Sequence, residues 1–192
     1  MLGGKCSACK SSISILYPFI ELITALCLSA LYLLVPLVYF PAYFFFFSAL
    51  LVSIRTDLET MLVSRFVTLF LVPSGILFAY LGFIPLSTTG SIAGATFGYL
   101  LLRGVALIFY HMTKKEGLGL GDVELLAFIG SYTGILGCWL ALLIGSITGS
   151  VAGITHMIST GSNKIPFGPF LALGAITYVL LQPTLLRFFF GL

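Results

Sequence analysis

The sequence predicts an all-α protein, a polytopic transmembrane helix bundle with about seven spans. Three observations carry that expectation. Charged residues make up only 8% of the chain and hydrophobic ones 59%. An ordinary soluble domain carries roughly 25% charged residues, so this chain has too few to cover a water-facing surface. The apolar residues also gather into long runs, and a run of about 20 is what crosses the hydrocarbon core of a bilayer. Finally, the basic residues sort to one side of those runs.

Seven runs qualify or come close: Tyr17–Leu34, Tyr39–Ile54, Phe66–Phe83, Ser91–His111, Val123–Gly137, Trp139–Ile158 and Phe170–Phe190. Prolines at Pro36, Pro41, Pro85, Pro166 and Pro169 fall in the connections, where helices should stop. Residues 1–16 form a short polar segment with the cysteine pair Cys6 and Cys9, and residues 17–192 form the membrane domain. Cys27 and Cys138 lie inside apolar runs and read as inert packing thiols.

When alternate sides are counted, Lys5, Lys10, Arg55, Arg65, Lys114, Lys115 and Lys164 fall together. The opposite connections, "VPLVYFPA", "IPLSTTG" and "GCW", contain no lysine or arginine. The positive-inside rule makes the basic side, and with it the N-terminus, cytoplasmic. Arg187 is the base that dissents. The net charge of +3 is small and its bases are topological signals. No nucleic-acid partner is expected, and the lipid bilayer is the surrounding this composition fits.

Glycine recurs every fourth residue in two runs, at Gly90, Gly94 and Gly98 and at Gly145, Gly149 and Gly153. Such a face lets neighbouring backbones approach closely. "GSIAG" and "GSITG" leave a short internal duplication open beside that packing role.

The chain has two aspartates, Asp57 in "SIRTDLETML" and Asp122 in "GLGLGDVELL". Both stand where an apolar run meets the cytoplasmic side. An acid at membrane depth costs on the order of 2.5–3.5 kcal/mol on insertion scales, so such acids are usually paired, water-facing or functional. Two facing carboxylates cannot both ionise cheaply; one keeps a proton while the other stays charged. That combination can activate a water and protonate a leaving amine, the chemistry of an aspartic protease. Gly119 and Gly121 would let a substrate backbone come close to Asp122. Glu59, Glu116 and Glu124 lie near the same face and compete for the role. Asp122 is also well placed as a plain helix cap, with its charge at the positive helix end.

These residues resemble a known family. "GLGLGDVELLAFIGSYTG" is similar to the GxGD segment of bacterial type IV prepilin leader peptidases, which are intramembrane aspartic proteases. "GKCSACKSSISILYPFIELITAL" looks like the family's cysteine-pair segment, "IRTDLETMLVSRFVT" like the segment with the first catalytic aspartate, and "NKIPFGPFLALGA" like the last cytoplasmic loop and helix. The four matches keep the family's order from Gly4 to about Ala175.

The resemblance implies that Asp57 and Asp122 are the catalytic pair, and that Gly119, Gly121, Glu59 and Glu124 shape the site or meet the substrate. It implies a prepilin or pseudopilin substrate of type IV pilus or type II secretion systems. Its basic leader would be removed at the cytoplasmic face of the bacterial inner membrane, after a glycine. No cofactor is required for such cleavage. A structural zinc wants four ligands, and Cys6 with Cys9 supplies two, so a zinc site completed within this chain is not expected.

The chain departs from the family at "VSR" after "DLETML", where Arg65 replaces a frequent acid, and at Glu124, where a lysine is common. It begins at the second cysteine pair, without the helix and region associated with N-methylation, so methyltransferase activity is not expected. The alternative reading is a catalytically impaired relative acting as a membrane assembly or binding factor. Oligomeric state, a homo-oligomer included, stays open.

Overall fold

The computed structural model describes residues 9, 16–60, 65–114, 119–160 and 166–190, the side chains of 16, 59–60, 65–69, 160 and 183–190 excepted. Among these residues the chain forms six helices: α1 (Leu16–Leu34), α2 (Phe40–Thr60), α3 (Arg65–Tyr80), α4 (Thr88–Thr113), α5 (Leu120–Thr160) and α6 (Gly168–Phe190). Four, α1, α2, α4 and α5, are long and apolar enough to cross a membrane, whereas the described apolar stretches of α3 and α6 are shorter. The all-helical bundle agrees with the sequence expectation.

Several helix ends shift by a few residues: α2 runs to Thr60 and takes in Asp57, and Pro41 and Pro169 stand in the first turns of α2 and α6 rather than in connections. One turn also differs: hydropathy predicts it at "GCW", residues 137–139, yet those residues are helical. The break comes earlier, at Gly134, with φ 71° and ψ −174°. A straight helix of 41 residues would be about 60 Å long, twice the roughly 30 Å of a bilayer core. Instead the chain doubles back. Cys138 Sγ reaches the carbonyl of Leu126 at 3.9 Å, across twelve positions of sequence. A β-carbon placed at Gly98 would touch both residues, and one at Gly94 would touch the backbones of Gly130 and Gly134. Residues 120–133 and 135–160 are thus two legs of a helical hairpin, with α4 in the groove between them. Glycine is required at the reversal because that φ/ψ combination is nearly closed to residues with a β-carbon.

The glycine faces found in the sequence divide between two interfaces. Gly94 and Gly98 press α4 onto the first leg, where Gly130 faces back at Gly94. Gly145 and Gly149 receive Phe170 of α6, and Gly174 of α6 lies on the backbone of Ala141. Gly149 faces the rings of Phe170 and Phe167, whereas the others are backbone-to-backbone approaches that only small residues permit. A β-carbon at Gly90 would have its local neighbours Leu86 and Ser87 nearest to it.

α5 is the hub, packing against α3, α4 and α6, while α2 packs against α6 and α1. Its first leg carries the centre of the core: Leu125, Leu126, Phe128, Ile129 and Tyr132 are fully or almost fully buried, with Phe46, Phe47 and Leu50 of α2 and Leu171 of α6. Tyr132 stacks on Phe46 with ring centroids 4.6 Å apart. Its hydroxyl shares a hydrogen bond with Ser74 Oγ at 2.8 Å, satisfying a polar tip that could not otherwise be buried. Ser91 of α4 donates to the carbonyl of Ser131 at 2.6 Å, tying α4 to the same leg. α4 itself begins at the N-cap Ser87, whose side chain accepts from the N–H of Gly90.

Candidate active site

Asp57 lies in the last turn of α2 and is 4% exposed. The neighbouring hydroxyls satisfy themselves on their own helix: Ser53 donates to the Ala49 carbonyl, and Thr56 to those of Val52 and Ser53. Asp57 instead reaches off α2. Its Oδ2 accepts from the backbone N–H of Gly168, 3.1 Å away and the first residue of α6. A carboxylate at a helix start meets an N–H with no partner inside its own helix, together with the positive end of the helix dipole. A buried acid needs such a donor.

Asp122 lies in the first turn of α5 and is half-buried. The Gly119 N–H bonds to its carboxylate, and the charge of Asp57 lies near enough to act on it. Gly119 itself is exposed, just before α5, and Gly121 is half-buried in the first turn. A β-carbon at Gly119 would stand 3.5 Å from Asp122 Oδ2. Three helix ends therefore meet at one face of the bundle: the C-terminal end of α2, with Asp57, and the starts of α5 and α6, with Asp122 and Gly168. A fourth joins them, because the guanidinium of Arg55 lies 4.9 Å above the ring of Tyr17 in the first turn of α1.

Glu124 is separated from the pair. Two positions along a helix turn the side chain by about 200°, so Glu124 leaves the face that Asp122 occupies. It is 6% exposed and lines a cavity of about 370 Å³ with Val72 and Pro73 of α3, Ala95, Thr96, Tyr99 and Leu100 of α4, and Ala127. The side chain of Glu59, together with Glu116 and Cys6, lies outside the described residues, while Cys9 is exposed. Among the described residues no three His, Cys, Asp or Glu side chains cluster as metal ligands.

The residue missed in the sequence is Gly168. Its signal was "IPFGPF", a glycine set between two prolines at the start of a helix. Nothing in that string says which distant carboxylate its N–H would meet.

The two aspartates share one face, and both fall in a stretch, residues 44–154, that matches the family model described as the type IV leader peptidase family. The chain belongs to the type IV leader peptidase family. The model of the bacterial peptidase A24 N-terminal domain matches residues 1–35. Within this family the chain is similar to the prepilin leader peptidase/N-methyltransferase of Aeromonas salmonicida, with 34% identity over 98% of this chain and 66% of that protein. It is similar to the protein of the same description from Pseudomonas aeruginosa, with 34% identity over 90% of this chain and 60% of the relative. The type 4 prepilin-like proteins leader peptide-processing enzyme of Escherichia coli O78:H11 is 31% identical over 95% of this chain and 67% of its own length. The chain thus spans about two thirds or less of the length of these relatives. No solved structure is significantly similar.

Proposed function

We propose that this chain is an intramembrane aspartic endopeptidase that removes the basic leader from type IV prepilins or pseudopilins at the cytoplasmic face of the bacterial inner membrane. The observation that carries the proposal is the convergence of Asp57 and Asp122, from different helices, at one face of the bundle. One carboxylate takes a proton from a water while the protonated partner hydrogen-bonds the scissile carbonyl. The water oxygen adds to the carbon, the tetrahedral intermediate collapses, and the proton passes to the leaving amine. The cleavage needs no metal, because the carboxyl pair itself supplies both base and acid. Gly119 is exposed and places no side chain of its own beside the Asp122 carboxylate, which suits an extended peptide.

Seven crossings with a cytoplasmic N-terminus fit this reading. The hairpin at Gly134 divides α5 into two legs, so six helices give seven segments. The Arg55–Tyr17 contact sets the start of α1 beside the end of α2. Arg55 and Lys114 mark that side as cytoplasmic.

The experiment is to incubate the purified chain with a prepilin and weigh the products. The wild-type protein releases the leader by a single cut after a glycine. Asp57→Asn and Asp122→Asn each lower the rate by about 10²–10⁴-fold, the typical worth of a positioned acid or base. Substantial cleavage by either variant would refute the assignment, and a wild-type chain that binds prepilin without cutting it would point to the impaired relative.

A further inference from the structure

We propose that Gly168 is a positioning residue for the peptidase pair: its N–H, at the start of α6, holds the Asp57 carboxylate in place beside Asp122, and only glycine leaves that carboxylate room. The inference rests on the peptidase reading and adds to it a residue far from both acids in sequence. The N–H of Gly168 donates to Asp57 Oδ2 at 3.1 Å. A β-carbon at Gly168 would stand 2.7 Å from Oδ2 and 3.4 Å from Cγ of the same carboxyl group. Its next neighbour would be Leu125 Cδ2 of α5 at 3.5 Å, an ordinary contact. An added methyl group therefore collides with the catalytic carboxylate and with nothing else.

Neither helix can step back to relieve the collision. α2 is held by Phe46, Phe47 and Leu50, all fully buried. α6 is held by the close backbone contacts of Gly174 with Ala141 and of Phe170 with Gly145. The carboxylate must rotate and lose the Gly168 N–H, which shifts it relative to Asp122. A displacement of about 1 Å in a reacting group costs on the order of 10²-fold in rate.

The test compares wild type, Gly168→Ala and Gly75→Ala on a prepilin substrate, with rates scaled to folded protein. Gly168→Ala lowers kcat by about 30- to 100-fold and leaves KM within about threefold. A β-carbon at Gly75 of α3 would crowd the side chains of Ser131 and Tyr132, on neither α2 nor α6, so Gly75→Ala leaves kcat per folded molecule within about threefold. A thermodynamic cycle covers the case in which Gly168→Ala folds poorly. In an Asp57→Ala background the methyl has room, so Gly168→Ala no longer lowers the melting temperature. Equal kcat losses at positions 168 and 75, near-wild-type kcat for Gly168→Ala, or the same melting loss with and without Asp57 would each overturn the proposal. If the Asp57→Asn and Asp122→Asn proteins still cut, the peptidase reading fails first; if they are dead and Gly168→Ala is active, only the positioning role fails.

Discussion

Replacing Gly134 by alanine tests the hairpin that brings the site together. The first leg of α5 carries Asp122, and the second leg clamps α6, whose first residue holds Asp57. At φ 71° and ψ −174°, a residue with a β-carbon is strained by about 1–3 kcal/mol. The new β-carbon would also lie 3.1 Å from Leu86 Cδ1, the end of a flexible side chain that can yield by a small movement within its rotamer well. The dihedral cost therefore dominates. For a protein of this size each kcal/mol shifts the melting temperature by roughly 2–4 °C, so Gly134→Ala should melt about 2–12 °C below wild type in detergent.

Two other glycines separate the causes. Gly82 has φ 74° and nothing within 4 Å of a β-carbon, so Gly82→Ala isolates the backbone cost, about 1–2 kcal/mol for a left-handed residue. Gly104 sits inside α4 in open space, so Gly104→Ala should raise stability by up to about 1 kcal/mol through helix propensity. The order Gly134→Ala and Gly82→Ala below wild type, with Gly104→Ala at or above it, is the expected result. A Gly134→Ala protein that melts at or above wild type would refute the argument that glycine conformational freedom makes the reversal.

Three further outcomes follow from the same geometry. Glu124→Gln should keep kcat within a few fold, with any loss appearing in KM, because its carboxylate lines the α3–α4 cavity; prepilin cleavage kinetics measure the split. Tyr132→Phe removes the hydroxyl bonded to Ser74 at 2.8 Å and should cost about 0.5–1.5 kcal/mol, read as a lower melting temperature with little change in kcat. Prolonged chelation with EDTA should leave the rate of leader release unchanged if, as proposed, the carboxyl pair supplies both acid and base; an inactivation reversed by zinc would contradict this.

Membrane class and helical content could be read without coordinates, and the two aspartates could be singled out as candidates, because these readings depend on local chemistry. Scarce charge and long apolar runs state the solvent, and two aspartates at the ends of such runs stand out because an acid there is usually paired, water-facing or functional. The glycine spacing announced close helix contacts, yet not their partners: Gly98 and Gly145 look alike in the sequence, but one meets the first leg of α5 and the other meets α6. The turn was misplaced for a related reason. "GCW" and "TGI" both interrupt an apolar run, and hydropathy cannot tell a glycine that packs, Gly137 against Thr133 and Tyr178, from one that reverses the chain, Gly134.

What the sequence by itself determined was a helical protein made for lipid, carrying one pair of acids at one side of its spans. Only the tertiary structure decided that α5 folds on itself at Gly134, that Glu124 lines a cavity with α3 and α4, and that the N–H of Gly168 meets Asp57. The physical reason is the range of the interactions. Burial and helix formation depend on neighbours along the chain, whereas a hydrogen bond across 111 positions exists only once three helix ends have been packed together.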